Sequence, residues 1–378
     1  MGRPIALLTF AVSMNICFFN TTAFLGGGEK KHLGYALKYK EFGHSVQMVV
    51  GPGSVLESKC IEHKIEYKTV KLGGTSFLNP IKIGKLKAWF SEKQVDVVFF
   101  NGSKDIKTGG KAATHARVKH RVYWRGIAVS PKPTRLNQMI FGKYLTQVIT
   151  NSQETKNKIL ESLPQAATKT HVVYNGIDFA AYDSIPNTSD EIPNRTAKLV
   201  LGNAARLTKQ KAQHILIDLA IRLKQEEIDF EVWIAGKGEE KENLEQLISA
   251  NGLQNHVKML GFISNVKAFM SAIDILVFPS FWEGFGFSIV EANACNKPVI
   301  GFRISSNPEI IEHKENGVLV DEISSERFVE ETLQLIQNDK LRAHISENAS
   351  TRVRIKFDLD NQAQEMLKKV TETTTELL

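Results

Sequence analysis

Cysteine is scarce in this chain of 378 residues: Cys17, Cys60 and Cys295 are widely spaced and odd in number. That excludes a disulfide framework and a cysteine zinc site, and it fits a reducing, cytoplasmic setting. The ten histidines are scattered without an HExxH-like pair, so no metal site is expected. No low-complexity tract is present, nor any repeat of roughly 20–50 residues, the signature of solenoids and propellers. Beyond the N-terminus no apolar run reaches the length of a membrane-crossing helix. Acids are short on one side of the chain. Residues 1–185 carry 26 Lys and Arg against 12 Asp and Glu, a balance of +14, and the remaining 22 and 29 leave −7 in residues 186–378. Such asymmetry marks two modules, one of them suited to an anionic surface.

What is present fits that division. Hydrophobic residues at 42% and charged residues at 24% are those of a globular protein, and the length suits two cores of about 150–200 residues each. Arg3 followed by IALLTFAVSMNICFF resembles the apolar part of a signal peptide. Ser13 and Asn15 interrupt it, and IALLTF (5–10) reads better as the buried first strand of a parallel sheet. A helix is expected over 28–41. Strands follow at 45–50, 94–100, 120–125, 145–152 and 170–178, rich in Val and Ile and separated by helix-length segments. Residues 183–196, DSIPNTSDEIPNRT, read as a boundary. A second alternation begins after it: strands at 198–204, 230–236, 256–262, 274–280 and 297–302, and helices at 213–225, 241–252 and beyond 324. The fold class is α/β, with two Rossmann-like parallel-sheet domains and a cleft expected between them. The expected boundaries are 1–185, 186–358 and a C-terminal helix, 359–378, packing back toward the first domain.

Ligands bind at strand-to-helix junctions of such sheets, and several junctions here have unusual residues. FLGGGEKKH (24–32) places Gly26 and Gly27 before a helix, where backbone can approach an anion or simply turn. GNAARLTKQKAQ (202–213) puts Arg206 and Lys211 after a strand, able to clamp a diphosphate or stay solvated. IAGKGEE (234–240), with Gly236, lies under a nucleobase or is a plain loop. FPSFWEGFGFSIVEANAC (278–295) brackets seven residues between Glu283 and Glu291. Amides of Phe285, Gly286, Phe287 and Ser288 would face a phosphate at a helix start. Glu291, inside a run that reads as buried, should hold hydroxyls or a cation. A donor with a sugar, a ribose and a diphosphate satisfies these groups together. Arg206, Lys211 and the helix end would stabilise charge in place of Mg²⁺.

PSFWEGFGFSIVEANACNKPVI resembles the signature of the retaining GT-B glycosyltransferases with two glutamates, among them enzymes of bacterial surface polysaccharide and lipopolysaccharide synthesis. GGGEK, FGHSVQMVV, ITNSQETK, HVVYNGID, NAARLTKQKAQHILIDLA, WIAGKGEEKENLEQLI and VKMLGFISNVKAFMSAIDILVFPS resemble that family in order, over about residues 5–320. The resemblance implies that Glu291 binds ribose hydroxyls, Glu283 the transferred sugar, and Arg206 with Lys211 the leaving diphosphate. It implies that the amides at Phe285–Ser288 hold the sugar and distal phosphate, that Gly26 and Gly27 approach the donor, and that the Ile263 backbone meets the base. It further implies a hexose transfer with retention, no cofactor and no bound metal, from a UDP or GDP sugar to a glycan or lipid-linked hydroxyl. Arg125 stands where many members have histidine, with His115 and His120 upstream. Asn296 replaces a frequent glycine, and SSNPE (305–309) a Gly-Gly pair, so Ser305 and Ser306 are expected to alter the sugar pocket.

The acceptor is expected on the basic first domain. NPIKIGKLKAWFSEK (79–93) and KDIKTGGKAATHARVKHR (104–121) suit an anionic membrane surface, unless Ile81, Leu86 and Phe90 pack on the sheet. No nucleic-acid motif is present. Competing readings are a nucleotide-sugar epimerase, a phosphorylase of the same architecture, and a non-catalytic glycan or sugar-nucleotide binding protein. The first lacks an evident acid–base set, and the second an evident pyridoxal phosphate lysine pocket.

Overall fold

A computed structural model describes residues 13–24 and 26–372. The expected strand over 5–10 and the signal-like Arg3 lie outside them. The chain forms two compact units, Met1–Gly176 with Leu359–Leu378, and Ile177–Asp358. The division thus falls ahead of the expected 185/186 boundary. The reason is local. Pro186 and Pro193 do break the pattern, but the free polar groups of this stretch are taken up by the second unit. Lys267 Nζ donates to the carbonyls of Asp183 and Ile185 (2.7 and 2.8 Å), Asn265 Nδ2 to that of Pro186 (3.0 Å), and Arg354 pairs with Asp183.

In the first unit the described strands are β1 (Asn15–Asn20), β2 (Ser45–Val50), β3 (Glu66–Thr69), β4 (Val97–Phe100), β5 (His120–Arg125), β6 (Gln147–Thr150) and β7 (Thr170–Val172). They pair in parallel in the order β3-β2-β1-β4-β5-β6-β7, with Ile16 opposite Val46 on one side and Val97 on the other. Short β3 was not foreseen: EYKT is polar and half exposed, as an edge strand is. Successive residues of a strand face opposite sides, so β1 feeds two cores. Cys17 and Phe19 join Val98, Phe100, Leu86 and Phe90, while Ile16 and Phe18 join Phe99, Trp124, Tyr35 and Tyr39. Leu359, Ala363, Met366, Leu367 and Val370 of helix Leu359–Glu372 complete the second core. With both faces covered, strands such as VVFF are apolar throughout. In helix Pro80–Glu92, Leu86 and Phe90 are buried but Ile81 is 68% exposed.

The second unit has β8 (Leu199–Ala204), β9 (Phe230–Ala235), β10 (Val257–Gly261), β11 (Ile275–Phe278), β12 (Val299–Phe302) and β13 (Val318–Val320), parallel in the order β10-β9-β8-β11-β12-β13. The strand order reverses between β8 and β11, the place where open α/β sheets bind ligands at their carboxyl ends. In the first unit the reversal lies between β1 and β4. Among the described residues no helix is long and apolar enough to cross a membrane.

Candidate active site

The loops leaving β8 and β11 carry the predicted cations and acids of the second unit. After β8 the chain must turn sharply. Gly236, at φ +151°, makes this possible: a Cβ there would stand 1.8 Å from the Ala205 carbonyl oxygen. Its amide donates to Gly261 O (2.6 Å). Gly236 is therefore required by packing against the segment that presents Arg206. Gln213 Nε2 holds that segment from the other side through Arg206 O (2.9 Å). The Arg206 side chain is exposed and has no ion-pair or hydrogen-bond partner among the described residues.

Lys211 and Glu283, assigned separate tasks by the sequence, form an ion pair. Both side chains are nearly buried, at 12% and 9% exposure, and Lys211 Nζ lies 5.4 Å from the centre of the Phe278 ring. The Glu283 backbone is fixed by Ser305, whose Oγ donates to Glu283 O (2.7 Å) and accepts from Glu283 N (3.1 Å). Ser305 reaches it from a left-handed φ of 55°. Ser305 of the SSNPE segment thus acts on the first glutamate directly, which sequence reasoning missed. Ser306 is fully buried, and no protein group bonds its hydroxyl among the described residues.

Helix Phe287–Ala294 begins after the N-cap Gly286, which makes no side-chain cap. Ser288 Oγ donates to Ala204 O (2.8 Å), pinning the helix start to the end of β8. The Phe287 amide donates to Phe285 O (3.2 Å). The Ser288 amide belongs to the first turn and has no partner inside the helix. Glu291, expected inside a buried run, is only half-buried, whereas Glu283 is buried. The Glu291 carbonyl accepts from Tyr182 Oη (3.2 Å), fixing the position from behind. Asn296 is not part of this corner. At φ 59° it ends the helix in the left-handed conformation usually left to glycine, some 12 Å from the helix start by the rise per residue. Ile263 is buried, and the amides that follow it, Ser264 and Asn265, donate to Glu191 (3.0 and 3.2 Å).

Gly26, Gly27 and Arg125 belong to the first unit. Gly26 and Gly27 are exposed at the start of helix Gly27–Glu41, where Glu29 accepts from Gly26 N (3.0 Å), Asn20 Nδ2 (3.2 Å) and Asn101 Nδ2 (3.0 Å). That carboxylate ties the ends of β1 and β4 together at the reversal point. Gly28 packs there too, since a Cβ would stand 2.7 Å from Asn101 Oδ1. Glu29 and Asn101 were not singled out from sequence. The readable signal was an asparagine ending each buried strand run, FFN20 and FFN101. Arg125 donates through its Nη1 to Tyr123 Oη (3.1 Å) and through Nη2 to the Val129 carbonyl, so its guanidinium holds its own loop. Among the described residues no group of three or more His, Cys, Asp or Glu is placed to hold a metal ion.

Residues 184–352 match the family described as Glycosyl transferases group 1, and residues 26–181 that described as Glycosyltransferase Family 4. An uncharacterized glycosyltransferase of Methanocaldococcus jannaschii, MJ1178, is 34% identical over 55% of this chain and 56% of its own. The lipopolysaccharide core biosynthesis glycosyltransferase LpsE of Rhizobium meliloti is 29% identical over 39% of this chain and 42% of its own. The chain spans about half the length of the curated relatives it matches. Anabaena Alr3699/HepE, solved in complex with UDP-glucose, aligns with a TM-score of 0.77 at 25% identity, over 97% of this chain and 100% of that one. The two parallel-sheet units have the GT-B glycosyltransferase fold.

Proposed function

Starting from a chain whose halves match the group 1 and Family 4 glycosyltransferases, we propose that it is a retaining, metal-independent hexosyltransferase. It takes a sugar from a nucleotide diphosphate, UDP before GDP, and delivers it to a hydroxyl of a glycan or glycolipid. The observation that carries this reading is the corner between β8 and β11. There an exposed, unpartnered Arg206, a nearly buried Lys211–Glu283 pair and a helix start pinned by Ser288 lie on adjacent loops. The likeness to a protein solved with UDP-glucose, and to a lipopolysaccharide core enzyme, supports the donor and acceptor classes.

The chemistry follows from charge. As the bond from the sugar carbon to the diphosphate oxygen breaks, negative charge grows on the diphosphate, and Arg206 and Lys211 stabilise it. A donor phosphate competes with Glu283 for the Lys211 ammonium. Binding then releases a carboxylate to accept hydroxyl hydrogen bonds from the sugar, while Glu291 takes the ribose hydroxyls. The acceptor oxygen forms its bond on the face the diphosphate leaves, and a phosphate oxygen takes the acceptor proton. In the first unit, Gly26 and Gly27 leave a helix start open to an anion, and Arg125 stands where the resemblance implies a histidine. Exposed Ile81, Lys85 and Lys87 of helix Pro80–Glu92 support contact with an anionic membrane surface.

The test is incubation with UDP-, GDP- and ADP-sugars, alone and with glycan acceptors, following nucleoside diphosphate release. Release from a UDP-sugar with the anomeric configuration kept in the product is expected. A protein that neither binds nor cleaves any of the three is not a transferase, and binding without release would favour the non-catalytic reading.

A further inference from the structure

The first unit holds an amine that the proposed transfer does not use. Lys31 lies in helix Gly27–Glu41 and is only 8% exposed, its Nζ 4.0 Å above the centre of the Trp124 ring. Among the described residues no carboxylate stands within ion-pair distance of it, and no acceptor takes its hydrogen bonds. A charge so placed has lost water and gained only the face of an indole ring, which leaves its hydrogen bonds for a ligand to supply.

The carboxylates that follow β1 and β4 are already engaged. Glu29 accepts from Gly26 N, Asn20 Nδ2 and Asn101 Nδ2. Asp105, beyond β4, accepts from Thr21 Oγ1 (2.5 Å) and Gly102 N (3.1 Å). Donors, by contrast, are in excess. Among the described residues Asn151 Nδ2, after β6, reaches only Gly126 O at a long 3.5 Å, and Trp124 Nε1 has no acceptor. Exposed Gly126, after β5, keeps the space beside the amine open: a Cβ there would stand 3.8 Å from Lys31 Nζ and 3.4 Å from Asn151 Nδ2. An anion is what this set of groups lacks. The end of the sheet where they converge is the carboxyl end, the ligand-binding end of parallel sheets.

We propose that Lys31, with Asn151 beside it, is an anion-binding site of the acceptor side, holding a phosphate or carboxylate group carried by the glycan acceptor. Assigning the anion to an acceptor rests on the transferase reading; the anion site itself does not. Burial pushes the Lys31 amine down to about 7 against the pull of Glu29. Near neutrality it is therefore partly unprotonated and nucleophilic, and an arriving anion would draw its proton back.

That property supplies a test on the unaltered full-length protein. Trace acetylation near pH 7, read lysine by lysine by mass spectrometry, is run with inorganic phosphate, with glucuronate and with glucose. One of the two anions is expected to slow Lys31 acetylation about tenfold, as nine-tenths occupancy of a site requires. Which one does so identifies the anion. Unchanged labelling with both anions, or equal protection by neutral glucose, overturns the site. A second arm uses Lys31→Met and Lys31→Arg in the transfer assay. The first should raise the acceptor KM about tenfold with the donor KM unchanged, and the second should restore it. Loss of diphosphate release refutes the transferase and leaves the protection standing; loss of protection does the reverse.

Discussion

The Lys211–Glu283 pair permits a quantitative test, because its two charges have few other partners. The side chains are 12% and 9% exposed, and the Glu283 backbone is clamped by Ser305. Replacing Lys211 with Met strands a nearly buried carboxylate, and replacing Glu283 with Leu strands an ammonium beside Phe278. Each single change should cost about 3–5 kcal/mol. The double change removes both desolvation costs together with the attraction and should cost about 1–2 kcal/mol, so the two sites should be coupled by several kcal/mol. Hydrogen exchange at the amides of β9 and β11 reports on the second unit alone and gives these values as protection factors. A double variant as unstable as the sum of the singles would refute the pairing. Saturating UDP-sugar should raise protection in the wild type and fail to do so in Lys211→Met, because the donor phosphate needs the ammonium.

Five further outcomes are expected. Arg206→Ala should change stability by less than about 0.5 kcal/mol, since the side chain is exposed and unpartnered, yet lower kcat by about 100-fold or more, while Glu291→Ala should chiefly weaken donor affinity by calorimetry. Gly236→Ala should destabilise the second unit by more than about 3 kcal/mol in urea unfolding, because its Cβ would overlap the Ala205 carbonyl at 1.8 Å. Lys31 is lowered from 10.5 to about 7 in the fold, so between these values the unfolded chain keeps a proton that the folded chain has released. The stability of the first unit should rise as pH climbs through this range, and Lys31→Met should flatten the slope in urea titrations at stepped pH. Anionic liposomes should sediment the protein, with salt and Ile81→Asp each weakening the effect; binding that ignores both would remove the membrane claim.

The α/β class was legible because fully buried strands write themselves as short Val, Ile and Phe runs, as in VVFF of β4 and ILVF of β11. The edges were less legible. β3 is polar on an exposed margin, and β13 is three residues long. Arg206, Lys211 and Glu283 could be singled out because they follow buried strand runs, and Glu291 because it lies in a helix that starts after a glycine turn. Their relations could not. The pairing of Lys211 with Glu283 and the clamp of Ser305 on Glu283 join residues tens of positions apart, which no local pattern encodes. Nor did the sequence distinguish a carboxylate that holds protein backbone, such as Glu29, from one left for a ligand.

That distinction matters more than the motifs do. At the carboxyl end of the first sheet Glu29 and Asp105 are consumed by strand ends and helix caps, and Lys31 is left without a counter-charge. At the same end of the second sheet an acid and a base satisfy one another, and Arg206 is left over. In both units the internal bonds use up the acids and leave a cation, so each sheet end attracts an anion. For the second unit the proposed donor diphosphate would be that anion. For the first unit the anion proposed above comes from the acceptor, whose charge, rather than its sugar identity, these residues would then select.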